Sequence, residues 1–447
     1  MLGSGFLRRR VVAGLAVECV LGIPHFTAAR PSLSAVWTTR ACCFRRPTNS
    51  GEIAAVNTNT TIGIVGGGIG GLAAALAFQR EGFRVAVYEQ APHLAEVGAG
   101  LSLSPTAAHA LNHLGLHDTL QHKAYHPEDQ CVRHWADGRP LSWINRGQKL
   151  LEQYGERYYL IHRADLHDAL AAAVRANDPG AIQLGKFCQS LQQDATGVDL
   201  RFSDGSTARC DAVVGADGSR SLIRQKIFGL LQPEYTGYIA WRGLVPMDQV
   251  PPEILQPPSG VFIGPGHLVN RYPVRGGELL NFVAFAERKT WTEEGWSIRS
   301  TVDELLAEFR GWTPMVLKIM ERVPPDQLFK WGLFDREPLA KWSSGRVTLL
   351  GDAAHPILPF LGHGAVLAIE DAVVLARAFV AADSVAEAYH RYESARRERA
   401  SFVVLESRKA GRVFHATDTD SYSQRTGGRA ADEGIGLFSY NPVLQPL

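Results

Sequence analysis

The sequence predicts an α/β protein in which a parallel-sheet domain, assembled from separated stretches of chain, carries an inserted antiparallel-sheet domain and C-terminal helices. Three observations predict it. Apolar strands at Thr61–Val65, Asp211–Gly215 and Arg346–Leu350 each run into a glycine-bearing turn and a helix start. Between the second and third, from Tyr235 to about Lys330, the texture changes to strands rich in Tyr, Trp, Phe and Val with Pro-Gly turns, the pattern of an antiparallel sheet. From Ser384 to about Arg412 the chain is long, charged and helical.

The first unit is the most informative. Thr61–Val65 leads into Gly66, Gly68 and Gly71 in GxGxxG spacing, then a helix over Leu72–Arg80, a stop at Gly82 and a second strand, Arg84–Tyr88. This is the Rossmann-like dinucleotide fingerprint. Gly66 allows the tight turn, Gly68 lets backbone approach a pyrophosphate, and Gly71 lets helix sit close on strand. The helix N-terminus offers unpaired amides and a positive dipole end to the anion. Glu89, about 20 residues past the glycines, stands where an acid binds ribose hydroxyls. The motif alone leaves NAD and FAD open.

A formal net charge of +1 over 447 residues argues against nucleic acid as the partner, and points to a small-molecule enzyme. The six cysteines (Cys19, Cys42, Cys43, Cys131, Cys188 and Cys210) form no CxxC pair or regular framework, so neither disulfides nor zinc is expected. Residues 1–57 are rich in arginine and contain an apolar run from Val11 to Ile23. They read as an extension, disordered or targeting, outside the fold. A cytoplasmic location is expected, with an organellar or exported one as the alternative if they are a targeting segment. The apolar run falls short of the ~20 residues a spanning helix needs, so no stable membrane insertion is expected.

Further along, Gly98 and Gly100 either admit a flat ring or make a plain turn. Ala107–Leu116 reads as an amphipathic helix. His113 and His117 lie one helical turn apart, but no carboxylate or cysteine set completes a metal site, and no metal is expected. Tyr158–Ile161 is a strand opening into a helix at Arg163, an arginine able to reach a pyrophosphate. Leu184–Arg209 alternates as a hairpin or meander. The second strand ends in Asp217-Gly218 and Ser221, with Arg224 following. Asp303–Arg322 reads as one helix. The third strand ends in Gly351-Asp352, followed by His355, Pro359, the turn Gly362-His363-Gly364 and a helix carrying Glu370 and Asp371.

Three separated signatures, the GxGxxG unit ending at Glu89, Asp217-Gly218-xx-Ser221-xx-Arg224, and Gly351-Asp352-Ala-Ala-His355-xxx-Pro359, together resemble the group A FAD-dependent aromatic monooxygenases. These are the salicylate hydroxylase and 3-hydroxybenzoate hydroxylase relatives with the p-hydroxybenzoate hydroxylase fold. The similarity covers about Thr60 to the C-terminus. It implies FAD as the dinucleotide and NADH or NADPH as co-substrate. Residues 58–234 and 336–383 would form the FAD-binding domain, 235–335 the substrate-binding sheet, and 384–447 the C-terminal helix and tail. By resemblance, Gly66, Gly68, Gly71, Glu89, Gly100, Arg163, Asp217, Arg224, Asp352 and Ala365 line the cofactor, with Asp217 and Arg224 shared with the nicotinamide nucleotide. The chain departs from many relatives at His363, where Gln is common, at Val366, where Asn occurs, and at Tyr238, where salicylate-type enzymes often carry His.

What the resemblance implies is an NAD(P)H-consuming monooxygenase that hydroxylates a small aromatic substrate, a phenolic acid or N-heterocycle, with dioxygen through a flavin hydroperoxide. The alternative is an FAD-dependent oxidase or reductase of a small cyclic substrate without oxygen insertion. Tyr238 is the candidate polar substrate contact, and Pro359 the residue shaping the pocket through its carbonyl. His355 is expected to support the loop. A monomer or homodimer is expected.

Overall fold

Each of the three apolar runs forms a strand, and all three lie in one sheet. The structure is a computed structural model that describes residues 56–94, 98–229, 232–293, 295, 297–414, 418–419, 422 and 431–447. The first sheet has the order Ser343–Ser344, Val347–Leu349, Ala212–Gly215, Thr61–Val65, Arg84–Tyr88, Ile182–Gln183. Its pairs are parallel apart from the short hairpin at Ser343–Ser344. Val65 is in register with both Gly215 and Tyr88, and Gly215 with Leu349. The turns after these strands therefore emerge side by side at one edge, the carboxyl end at which open α/β sheets bind ligands.

Helices pack against this sheet. The helix Ile69–Arg80 is buried from Gly71 to Phe78, and packs against Gly364–Val380. The approach is tight: a Cβ on Gly70 would lie 3.1 Å from Ala368 Cβ. Phe78, Phe83 and Phe379 meet edge to face with centroids 5.0–5.8 Å apart, joining the first unit to the late helix. The long helix Val385–Phe414 is held by Tyr389 and Tyr392, whose hydroxyls donate to Val213 O and Leu349 O at 2.9 and 3.1 Å.

The second large sheet has eight strands, ordered Ile298–Arg299, Phe329–Asp335, Glu234–Pro246, Leu279–Glu287, His267–Val274, Gly260–Gly264, Asp129–His134, Pro140–Asn145. It reaches beyond the 235–335 stretch, because the polar-looking runs DQCVRH and PLSWIN add two strands. One of these pairs in parallel with Gly260–Gly264. One face, with Ile239, Trp241, Val245 and Phe282, packs under helices Val302–Glu308 and Pro314–Met320. The single helix expected over Asp303–Arg322 is thus two. Gly311 adopts φ +87°, and Pro314 restarts the chain at N1, where its missing N–H costs nothing. The other face, with Ala240, Leu244, Leu268, Tyr272 and Phe285, packs against Leu358, Phe360 and Leu361 from the turn after the third parallel strand.

Leu184–Arg209 forms the expected meander, as strands Cys188–Gln193, Val198–Phe202 and Thr207–Cys210. Most of the N-terminal extension, residues 1–55, lies outside the described residues, as does Glu96 beside Gly98. Val56 is already part of the core, its N–H donating to Ala382 O at 2.7 Å. No helix among the described residues is long and apolar enough to cross a membrane.

Candidate active site

The fingerprint turn is shaped by its own contacts. Gly66 has φ +112°, and a Cβ there would lie 2.4 Å from Ala216 O, so the neighbouring turn leaves room for no side chain. On Gly71 a Cβ would lie 2.0 Å from Gly66 O. Gly68 differs: a Cβ there meets nothing within 4 Å, so this glycine borders open space at the helix start. The helix has no side-chain cap and no acid in its first turn, which leaves its leading amides to an outside partner. Glu89 closes the turn, accepting from Gly67 N–H at 2.7 Å and from Ala91 N–H at 2.8 Å, while remaining half-exposed.

The second turn is a capped helix start. Asp217 accepts from Ser221 Oγ and from Ile223 N–H at 3.0 Å, and Ser221 Oγ accepts from Arg224 N–H at 2.9 Å. Burial raises the Asp217 carboxyl. The Arg224 guanidinium is spent on backbone: it donates to Ala353 O at 2.8 Å, Asp352 O at 3.3 Å and Ser219 O at 2.6 Å. It therefore staples the second turn to the third. Burial and the neighbouring Arg336 push it down to about 10.

Asp352 decides what the edge is for. Burial raises its carboxyl, against the pull of His355, Arg163 and Arg224, so it is set deep in the protein. Yet the residue presents exposed surface, as does Pro359. A residue both deep and exposed lines a cleft. Its carboxylate accepts no hydrogen bond from any described residue, which leaves its oxygens open to a ligand's donors. Behind it, His355 Nε2 donates to Asp371 Oδ2 at 2.6 Å, and Arg396 bridges Asp371 at 2.7 Å and Glu370 at 2.8 Å. Burial alone would raise both acids, but Arg399 and Arg396 pull Glu370, and His355 and Arg396 pull Asp371, each down to about 2.

The profile of the family described as FAD binding domain matches residues 59–407. The 3-amino-4-hydroxybenzoate 2-monooxygenase of Streptomyces platensis is 39% identical over 363 residues, covering 81% of this chain and 90% of that one. The chain belongs to the FAD-dependent aromatic monooxygenases. The 6-hydroxynicotinate 3-monooxygenase of Pseudomonas fluorescens is 35% identical, covering 86% of this chain and 96% of its own length. Klebsiella pneumoniae HpxO, solved with FAD and uric acid, superposes with a TM-score of 0.77 at 30% identity over 87% of this chain and 97% of that one. A salicylate hydroxylase substrate complex superposes at 0.73, with 26% identity over 87% and 99% of the two chains. The cofactor expected from the sequence is thus the cofactor of the family. The residues present fit it, because open space at Gly68, uncapped amides and a donorless carboxylate at Asp352 lie along one edge.

The eight-stranded sheet packs against the turn that follows Asp352. Tyr238 lies on the same face as Ala240 and Leu244, its ring edge-on to Phe360 with centroids 6.0 Å apart. Burial, and then Glu287, raise its hydroxyl. Gly100 joins the two halves: its N–H donates to Asn281 Oδ1 at 2.8 Å, and a Cβ would lie 2.4 Å from Tyr272. Ala365 sits half-buried in the first turn of Gly364–Val380. Arg163 begins the helix Arg163–Asn177, close enough to Asp352 to lower it. His113 and His117 fall on different helices, and the described residues hold no cluster able to bind a metal.

Residues that sequence reasoning passed over complete the surroundings. Arg336 lines a recess of about 220 Å³ with Arg224 and Arg408 and with the acids Glu234, Asp335 and Glu337. Arg408 is neutralised by Asp335 and Glu337. The Arg336 guanidinium has no hydrogen-bond or ion-pair partner among the described residues, its Nη1 is buried, and burial lowers its pKa. No motif marks this arginine. The signal was only its place in the link between the second sheet and the third parallel strand.

Proposed function

We propose that the enzyme uses NADH or NADPH and dioxygen to hydroxylate a small aromatic substrate, a phenolic acid or a hydroxylated N-heterocycle. The observations carrying this reading are the exposed carboxylate of Asp352 at the strand-end edge and the aromatic sheet face around Tyr238, which packs on Phe360 from the turn that follows Asp352. Residues 58–234 and 336–383 act as the two parts of a Rossmann-like cofactor domain, and 235–335, joined by the strands at 129–145, as the substrate wall.

Bound FAD supplies the redox chemistry that couples NAD(P)H and dioxygen to the ring. The chain's own residues do the rest. The uncapped amides after Gly68 hold the pyrophosphate, with Arg163 adding charge. Glu89 accepts from the adenosine ribose, and Asp352 from the ribityl chain. Arg224 acts on the cofactor by pinning the backbone of Asp352 and Ala353. Asp217 orders the same turn through its capping bonds. The recess at Arg336 receives a phosphate of the nicotinamide nucleotide, which relieves the repulsion between Arg336 and Arg224.

On the substrate side, the neutral Tyr238 hydroxyl orients the ring through a hydrogen bond to its polar substituent, and the turn beginning at Pro359 fixes the ring's depth. Phe360, Phe285 and Leu244 exclude water. The test is NAD(P)H oxidation by the purified flavoprotein across phenolic acids and N-heterocycles, including 3-amino-4-hydroxybenzoate and 6-hydroxynicotinate. At least one is expected to stimulate oxidation and to leave as a product one hydroxyl richer. Oxidation that no aromatic compound changes would refute the reading.

A further inference from the structure

Resting on that placement of the substrate, we propose that the C-terminal strap, residues 431–447, positions the turn Pro359–Gly364 through two side chains, Asp432 and Phe438. Both are positioning residues: they touch the groups that hold the turn and not the substrate.

Two chains of contact run from the strap to the turn. In the first, Phe438, 1% exposed, stacks on His363 with the rings 13° from parallel and centroids 6.3 Å apart. His363 Nδ1 donates to Leu361 O at 2.6 Å, so its proton is committed there and Nε2 is left as an acceptor. That Nε2 is buried without a partner, and burial lowers the imidazole pKa, which keeps the ring neutral and its tautomer fixed. Phe438 thus seals a dry, fixed imidazole that ties down the turn's backbone two residues from Pro359. Without the seal, water reaches Nε2 and the ring is free to turn.

In the second chain, Asp432 takes both carboxylate oxygens to Arg146 Nη2, at 2.9 and 3.0 Å, in a pair buried on both sides. Arg146 also donates to Gln130 Oε1 at 3.0 Å, and stands 4.5 Å over the Tyr158 ring and 5.3 Å from that of Phe438. Tyr158 lies close enough to Ser102 for the two hydroxyls to influence each other, and Ser102 Oγ donates to Gly362 O at 3.4 Å. The second chain therefore ends on the same turn, from its other side. The strap is itself anchored on the cofactor half, where Arg399 donates to Leu437 O and Arg377 to Pro442 O and Gln445 O. The arrangement couples the two walls of the cleft through a segment that contributes nothing to the fingerprint motifs.

The test uses the full-length holoenzyme with Phe438→Ala and Asp432→Asn, and with Asp432→Glu, which keeps the charge. Expected in the first two are FAD content within a fifth of the parent, amide exchange over Leu358–Ala365 at least tenfold faster, and unchanged exchange in Thr61–Val65. The dissociation constant of 3-amino-4-hydroxybenzoate or 6-hydroxynicotinate, read from the flavin absorbance, should rise about tenfold, and Asp432→Glu should recover most of the loss. Parent-like exchange over the turn in both variants would overturn the proposal. So would loss of FAD from both, because the strap would then hold the whole fold and not the turn. If no aromatic probe perturbs the parent's flavin, the functional reading fails, while the exchange measurement still decides the role of the strap.

Discussion

Replacing Asp352 with alanine removes a carboxylate that no described residue hydrogen-bonds, so the protein without cofactor should lose no internal hydrogen bond. What it loses is an attraction to Arg163, Arg224 and His355, and against that it gains relief from keeping a desolvated charge. These terms oppose each other, so the melting temperature of the apoprotein should stay within a few degrees of the parent. The cofactor bears the loss. A hydrogen bond to a charged acceptor contributes about 1.5–3 kcal/mol, which weakens FAD binding by about 10- to 150-fold. Titrating apoprotein with FAD, followed by flavin fluorescence, measures it. The parent should also bind FAD less tightly as pH falls through the raised carboxyl pKa, because the protonated acid is a poorer acceptor, and Asp352→Ala should lose that dependence. An unchanged FAD dissociation constant would refute the assignment. An apoprotein that unfolds would show that the carboxylate is structural.

Tyr238→Phe keeps the ring packed on Phe360 and removes the hydroxyl; FAD content and NAD(P)H oxidation should persist while product per NAD(P)H falls and peroxide rises, by up to about a hundredfold if positioning is lost. Arg336→Met should raise the KM for NAD(P)H about tenfold at unchanged FAD content, and an unchanged KM would remove the nucleotide from that recess. Arg396→Met leaves Glu370 and Asp371 buried with one cation fewer, at a cost of about 3–5 kcal/mol in denaturant unfolding. Both acids are held near 2 in the fold and titrate near 4 when unfolded, so their stabilisation is complete above about pH 5 and is lost as pH falls toward 2. The acid limb of the stability curve should flatten in Arg396→Met.

The parallel sheet was legible because a buried strand followed by a glycine turn is a local pattern, and it recurs here at Val65, Gly215 and Leu349. The strands Asp129–His134 and Pro140–Asn145 were not. Polar and in part exposed, the first is fixed by pairing with Gly260–Gly264, a partner more than a hundred residues away, and the second pairs with the first at the sheet's edge. The helix break at Thr313 was written in Gly311 and Pro314, but was outweighed by apolar periodicity on either side. Within the site, motif residues were legible as positions, whereas the division of labour was not. Arg224 carries the charge expected of a phosphate ligand, yet three carbonyls take up its guanidinium, and only the folded chain reveals that. Arg146, Asp432 and Phe438 had no sequence signal, because their meaning lies in contacts between β-strand, turn and C-terminus.

The most direct test of the account is turnover in isotopically labelled dioxygen, with the aromatic compound that best stimulates NAD(P)H oxidation. The account predicts one labelled oxygen atom in the recovered aromatic product, and one NAD(P)H consumed for each. Product that carries oxygen from water, or a substrate dehydrogenated with all the dioxygen recovered as peroxide, would contradict it and make the protein an FAD-dependent oxidase.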